Sequence, residues 1–208
     1  NFWVPSNTSV DGRGRNTYTY QANGNYFRHM TISHEASNWV GDRGTWQFMI
    51  NTSIDPETGS FGENERKIPF SHEKEVARVY YYGIEFPEGT NASNTKMELT
   101  PTDHGAVVRF TFPKDAQHKN VIFDSINGSD DGSIIEYDMK TNSFKARTNH
   151  TSLGLKDMYI YGTFDKPMSY TRTANNRQGI ASFEDEVVEM KVATSFISFE
   201  QAKHNIEL

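Results

Sequence analysis

The residues best suited to chemistry stand between Ser33 and Trp46, in a polar, glycine-containing stretch between two predicted strands. Its centre is Trp39. The polar side chains that flank this tryptophan include His34, Glu35, Asn38, Asp42 and Arg43. Sugars bind by laying an apolar C–H face on an aromatic ring while planar polar groups hydrogen-bond the hydroxyls. The composition therefore suits a carbohydrate contact. The structural alternative is that Trp39 plugs one end of the fold while Asp42 pairs with Arg43.

No spacing elsewhere in the sequence indicates a catalytic centre. Ser33-His34-Glu35 is echoed by Ser71-His72-Glu73, but a metalloprotease site needs two His four residues apart on one helix. Both copies therefore suit polar loops at strand ends. A G-x-S-x-G elbow and a P-loop are absent, and no pair of carboxylates is marked out as acid and base. The residues alone predict no catalytic machinery.

The segment from Asn127 to Asp138 has a faint likeness to a calcium loop, with Gly132 at the sixth position. It stands between two predicted strands and no helix flanks it. A β-hairpin turn is the better interpretation.

Composition excludes several classes of protein. The chain has 208 residues and a formal net charge of −6, so it lacks the basic excess that binds nucleic acid. No apolar run reaches the roughly 18 residues of a membrane span, which argues against membrane insertion. Cysteine is absent, which excludes disulfides and thiolate zinc sites. At this length we predict one domain, residues 1–208, with one core.

Alternation of apolar and polar residues recurs along most of the chain and predicts half-buried strands. In one segment Tyr80, Tyr82, Ile84 and Phe86 face a core while Glu85 faces water. The runs that show such a strand pattern are 26–32, 45–51, 79–86, 96–100, 107–112, 120–126, 133–139, 143–147, 158–164 and 188–192. About the first twenty residues, which include Pro5, suit irregular structure.

The expected fold class is all-β, a large antiparallel β-sandwich, with a barrel as the alternative. One helix signal stands at the end of the chain, where Ser198 and Gln201 have the spacing of a capping box. The chain reaches Leu208 before any helix stop signal, so we expect this short C-terminal helix to be cut off and more protein to follow.

Five ordered segments together resemble glycoside hydrolase family ninety-two, the calcium-dependent exo-acting α-mannosidases, in their N-terminal β-sandwich domain. The segment from Ser33 to Gly44 is similar to the family's S-H-E-P-S-P-W-x-G-D motif. The other segments that carry the resemblance are Asn1 to Pro5, Phe70 to Tyr82, Leu99 to Pro113 and Thr194 to Asn205. The resemblance covers nearly the whole chain.

The resemblance implies inverting hydrolysis of terminal α-linked mannose, for example α-1,2-linked, from glycans including N-glycans. It places the catalytic acid and base, and most ligands of the calcium ion, in a C-terminal (α/α) barrel domain after Ser198. We therefore expect no catalytic residue and no metal ligand in these 208 residues. The partners expected are a mannose-containing glycan and that catalytic domain of the same protein.

By the same resemblance Trp39 faces the sugar, and Glu35, Asp42 and Arg43 make pocket or interdomain contacts. His34 organises the loop, and Trp3 is a further candidate for substrate contact. The family and the absence of cysteine suggest an extracellular or cell-surface bacterial protein.

Two alternatives stay open: an autonomous, lectin-like carbohydrate-binding module, and a structural interaction domain. An uncovered apolar face toward the barrel would promote self-association.

Overall fold

The fold was analysed in a computed structural model, which describes residues 25–33, 46–57, 67–125, 134–148, 157–172 and 178–208 and the backbone of 2–8. These residues form fifteen strands, a 3-10 turn at His72–Lys74 and one α-helix. The strands are β1 (Phe2–Thr8), β2 (Tyr26–Ser33), β3 (Trp46–Asn51), β4 (Ile68–Pro69), β5 (Glu75–Arg78), β6 (Tyr81–Glu85), β7 (Lys96–Pro101), β8 (Gly105–Thr111), β9 (Asn120–Ser125), β10 (Ile134–Asp138), β11 (Ser143–Thr148), β12 (Met158–Phe164), β13 (Ser169–Arg172), β14 (Gln178–Ser182) and β15 (Val187–Ser195). The helix is α1 (Phe199–His204).

Two antiparallel sheets enclose the core. The first sheet has the order β1-β2-β3-β9-β14-β13, and the short β4 also pairs with β2. The second sheet has the order β10-β11-β12-β15-β8-β7-β6-β5. This architecture confirms the predicted all-β antiparallel sandwich.

Aromatic rings join the two sheets across the core. The Trp46 ring stacks on Phe123 of its own sheet at 5.4 Å between centroids and on Phe144 of β11 at 5.7 Å. Two residues along β3, Phe48 meets Phe110 of β8 edge to face at 6.0 Å. Since β11 and β8 are three strands apart in the second sheet, β3 runs obliquely across that sheet's strands.

Helix α1 packs on the outer face of the second sheet, against β12 and β15. Ser198 caps it as the sequence predicts, because its hydroxyl accepts a hydrogen bond from the Gln201 amide at 3.1 Å. The helix ends at His204, with Asn205 as its C-terminal cap. The expectation that it continues to Leu208 is therefore wrong. In the part of the chain that the structure describes, no helix is long and apolar enough to cross a membrane.

Asn205 fixes this helix to the sheet. Its side-chain amide donates to the Thr194 carbonyl at 2.8 Å and accepts from the Gln201 amide at 2.9 Å. Asn205 and Ala202 are buried. The position of the end of α1 on the sheet is therefore set by the hydrogen bond from Asn205 to β15.

Three predictions about strands are wrong. Residues 2–8 are not irregular: they form β1, an edge strand, where Pro5 is tolerated because no further strand needs its missing N–H. Tyr80 does not face the core: it is 71% exposed in the turn between β5 and β6, whereas Tyr82, Ile84 and Phe86 are buried as predicted. The segment after β9 is not a hairpin, since β9 and β10 lie in different sheets.

Gly162 provides a test of the core, because a Cβ at this position would collide with the Phe144 ring. Phe144 is itself held by Trp46 and Phe123 and cannot move aside. We expect Gly162→Ala to lower the free energy of unfolding by about 1–3 kcal/mol, the usual cost of overpacking. Urea denaturation measures it. The neighbouring Thr163→Ala is the control, and equal stability of the two variants would contradict the prediction.

Candidate functional site

The first sheet has one end from which several connections leave. Trp46 at the start of β3 pairs with Ile32 of β2 and Ser125 of β9, and β14 begins beside Asp124 with Gln178. Three connections therefore begin or end at this end of the sheet: residues 34–45, 126–133 and 173–177. We call this end of the first sheet the loop end.

Most of the predicted substrate contacts fall on one of these connections. His34, Glu35, Trp39, Asp42 and Arg43 lie outside the described residues, so their roles stay predictions. Their connection joins β2 to β3, which places its two base points, Ser33 and Trp46, at the loop end.

The backbone of Trp3 lies near the loop end as well. Its backbone pairs with Ile32, which in turn pairs with Trp46, so Trp3 is two strands from the base of the Trp39 connection. Strand spacing makes that about 10 Å between backbones. The fold therefore brings the backbone of Trp3 and the base of the predicted sugar-contacting segment together at the loop end.

Below the loop end, on the sheet face that points away from the aromatic core, the structure shows a row of polar residues. Cross-strand pairs align Thr31 with Gln47, Gln47 with Asp124, and Asp124 with Gln178. We call these four residues the polar row. Thr31, Gln47 and Asp124 are at most 6% exposed.

Hydrogen bonds hold the polar row together. The Gln47 amide donates to a carboxylate oxygen of Asp124 at 2.9 Å, and the Thr31 hydroxyl donates to the Trp46 carbonyl at 3.3 Å. The Gln47 side-chain oxygen is buried and accepts no hydrogen bond within the described residues. The row thus places a buried carboxylate beside Gln47, the residue that follows the base point Trp46.

Sequence reasoning missed the polar row for a physical reason. Alternation in β3 puts Gln47, Met49 and Asn51 on the face opposite Trp46, which for a half-buried strand means the solvent face. All six residues of β3 are nevertheless buried. Only the apolar Met49 among the three gave a hint that this face is covered.

The second Ser-His-Glu copy is a structural cluster. Ser71 caps the 3-10 turn, and His72 Nδ1 lies 2.5 Å from one oxygen of Glu75, whose other oxygen accepts from the Tyr82 hydroxyl at 2.7 Å. Burial, then the Glu75 carboxylate, raises the pKa of Tyr82 above its ordinary value, so the hydroxyl stays a donor. Glu75, not the Glu73 of the motif, is the partner of His72.

No candidate metal centre is found in the described residues, which contain no group of three or more His, Cys, Asp or Glu side chains suited to holding an ion. Calcium prefers six to eight oxygen ligands. The described residues hold no cluster of three or more carboxylates to supply them.

The sequence matches the family model of the glycosyl hydrolase family 92 N-terminal domain over residues 1–208. The chain belongs to this family. No curated protein matches the sequence.

Among solved structures the fold is similar to a family GH92 inverting mannosidase, BT2199 of Bacteroides thetaiotaomicron, with 27% identity and a TM-score of 0.81. That match covers 100% of this chain and 28% of the other. A GH92 α-mannosidase of the same organism, BT3965, solved alone and with mannoimidazole, has 20% identity and a TM-score of 0.70. That match covers 98% of this chain and 30% of the BT3965 chain. At 20% identity it supports the fold alone. This family 92 domain thus spans under a third of the mannosidases it resembles.

A second carboxyl introduced into the polar row should destabilise the fold. Gln47→Glu keeps the side-chain volume but sets a second carboxyl beside buried Asp124, and two adjacent carboxyls must share a proton. We expect a loss of about 2–4 kcal/mol of unfolding free energy at pH 7, because the buried pair raises the pKa of one carboxyl and must take up a proton or bear two adjacent charges.

The pH dependence of this variant has a definite sign. With its pKa raised in the folded state, the carboxyl pair binds more protons than in the unfolded chain, so the lost stability returns as pH falls toward about 4. Urea denaturation between pH 4 and pH 8 measures this. The exposed Gln117→Glu is the matched control, and a Gln47→Glu variant as stable as this control at pH 7 would rule out the buried pair.

Adjacent tyrosines offer a matched pair for the Glu75 cluster. Both Tyr82 and Tyr81 donate to a glutamate at 2.7 Å, but Glu75 is 7% exposed and Glu98 is 21% exposed. Tyr82→Phe removes a donor from a buried carboxylate, so we expect a loss of about 2–3 kcal/mol. For Tyr81→Phe water replaces the donor, and we expect under about 1 kcal/mol.

The small effect at Tyr81 depends on pH. Burial raises the pKa of Glu98, but hydrogen bonds from Tyr81 and Lys96 outweigh it and hold that pKa below its ordinary value. The stability from this bond is present above the unfolded pKa of about 4.3 and is lost as pH falls through the folded value. Thermal unfolding of both variants at pH 3 and pH 7 compares them, and a larger loss for Tyr81→Phe than for Tyr82→Phe would contradict the assignment.

Proposed function

We propose that this family 92 domain is the non-catalytic N-terminal part of an α-mannosidase, and that its loop end closes one side of the mannose-binding pocket. The observation that carries the proposal is the match of the whole chain to under a third of an inverting mannosidase. In this proposal the loop of Trp39 contacts a terminal α-linked mannose of a glycan.

The geometry of the loop end supports a positioning role. The base of the Trp39 connection ends at Trp46, which is fully buried and packs against both Phe123 and Phe144. The polar row fixes the neighbouring residue, Gln47, to β9. A binding residue carried on such a base starts from a rigid scaffold, which lowers the entropy lost when sugar binds.

In this proposal the catalytic chemistry belongs to a separate catalytic domain of the same protein, outside the region described here. Inverting hydrolysis needs one carboxylic acid to protonate the leaving oxygen and one carboxylate to activate water on the opposite face of the sugar. We assign neither role to a described residue. Calcium, which would bind sugar hydroxyls, is likewise assigned to that domain, and the location is proposed to be extracellular or at the cell surface.

Trp39→Ala in the full-length protein tests the pocket role. Loss of an aromatic ring that covers a sugar face removes about 1.5–3 kcal/mol, so we expect kcat/KM for α-1,2-mannobiose to fall roughly 10- to 150-fold. Trp39→Phe, which keeps a ring, should recover most of the activity. Activity of Trp39→Ala equal to the parent would contradict a sugar contact.

The same substitution separates the alternative function. In an NMR titration of the 208-residue chain with α-mannobiose, with and without calcium, we expect no saturable shifts, because the chain holds only half of the pocket. Saturable shifts that Trp39→Ala abolishes would instead favour an autonomous carbohydrate-binding module. Turnover of an aryl α-mannoside by the purified chain would contradict its non-catalytic role.

A further inference from the structure

A groove of about 400 Å³ lies on the outer face of the second sheet, between α1 and the hairpin that β10 and β11 form. Side chains from β10, β11, β12 and α1 line it. The charged residues among them are Glu136, Asp138, Lys145, Glu200 and Lys203. We call this cavity the helix groove. The second sheet lies between it and the aromatic core.

Two lysine ammoniums lie at the helix side of the groove, each over an aromatic ring. Lys145 Nζ is 5.4 Å from the centre of the Phe199 ring, and Lys203 Nζ is 5.8 Å from the centre of the Tyr161 ring. Lys145 and Tyr161 are cross-strand neighbours, and Phe199 and Lys203 are four residues apart on one face of α1. The two contacts therefore cross, and they bring two positive charges to one place.

No carboxylate pairs with these ammoniums in the part of the chain that the structure describes. Glu136 is the cross-strand partner of Lys145, and Glu200 stands three residues before Lys203 on α1. The ion pairs among the described residues nevertheless involve none of the four. Like charges held near each other repel, and an exposed ring supplies only a weak attraction. An anionic group between the two ammoniums would therefore gain two charge-assisted contacts.

The opposite wall of the groove is negatively charged. The Asp138 carboxylate serves the turn after β10, because it accepts a hydrogen bond from the Lys140 amide at 2.9 Å. Glu136, on the same strand, is exposed and is left to interact with a ligand. β10 and β12 are two strand spacings apart, so about 10 Å separates the backbones of Glu136 and Tyr161. Opposite charges on the two walls suit a ligand that carries both.

We propose that the helix groove binds a peptide of two or three residues, with its terminal carboxylate between Lys145 and Lys203 and its terminal ammonium at Glu136. An extended chain spans about 3.3–3.6 Å per residue, so two or three residues cover about 7–11 Å and match the distance between the walls. This inference goes beyond the proposed function and does not depend on it.

The groove is less suited to other small ligands. A sugar has no free aromatic face to lie on, because an ammonium covers each ring. A polyanion such as a nucleotide would meet the carboxylates of Glu136, Asp138 and Glu200. A single amino acid carries its two charges too close together to reach both walls.

An NMR titration of the 208-residue chain with triglycine tests the site. A ligand of this size has a Kd of about 1 mM at the usual affinity per non-hydrogen atom. We expect saturable shifts of the amides of residues 143–145 and 199–203. Absence of saturation at about ten times that concentration would overturn the proposal. Shifts of these amides with α-1,2-mannobiose and none with triglycine would also overturn it, because the groove would then be a sugar site.

Neutral substitutions on the two walls identify the contacts. Lys203→Gln and Glu136→Gln should each weaken the binding of triglycine at least about fivefold, because each removes a charge-assisted contact. Both positions are exposed, so the fold tolerates the change. Lys140→Gln is the matched control, since it removes an exposed lysine that does not line the groove. Equal weakening by all three variants would show that only overall charge matters, and the proposal would be wrong.

Blocked peptides test the orientation of the ligand. N-acetylated triglycine lacks the ammonium, so it should bind at least about fivefold more weakly than triglycine, and Glu136→Gln should weaken it no further. Triglycine amide lacks the carboxylate, and Lys203→Gln should likewise have no further effect on it. If the blocked peptides bind as tightly as triglycine, the groove does not recognise the two termini and the proposal fails.

Discussion

Stacking of Trp46 against both Phe123 and Phe144 connects the main parts of this domain. The contact with Phe123 is within the first sheet, and the contact with Phe144 reaches the second. Because Trp46 is also the first residue of β3, the same ring fixes the point where the connection from β2 enters the sheet. The core and the base of the predicted sugar-binding segment therefore depend on one side chain, and Gly162 is small because Phe144 must lie against it.

Buried polar groups also hold the strands in place. The polar row lies on the other face of the same strands, so Trp46 and Gln47 hold the start of β3 from opposite sides. A buried carboxylate is stable only where donors satisfy it, and its geometry is correspondingly specific. On the far edge of the sandwich, Glu75 has the same role for β5, since Tyr82 and His72 contact its two oxygens.

Strand alternation was enough to predict the fold class, but it could not predict pairing or burial of both faces. Long central strands such as β8 and β15 show a clear period of two, whereas β5 and β13 have only four residues each and give too short a pattern. Tyr80 was misplaced because apolar character continues through a turn. The composition around Trp39 suited a sugar contact but favoured a structural role, and only the family resemblance assigned the contact. Gln47 and Asp124 could not be recognised, because a polar residue at an alternating position is normally a solvated one.

The order of strands in the first sheet has a consequence for how the chain folds during synthesis. β3 pairs on one side with β9, and the bond between Gln47 and Asp124 joins residues 77 positions apart. Chains emerge from the ribosome at roughly 5–20 residues per second, so β3 waits several seconds for its partner. Pairings this distant in sequence form slowly, and a strand with one unpaired side and a wholly apolar face, Trp46, Phe48 and Ile50, is prone to aggregate meanwhile. Nascent chains of this domain therefore pass through a stage at which a chaperone that shields β3 would raise the yield of folded protein.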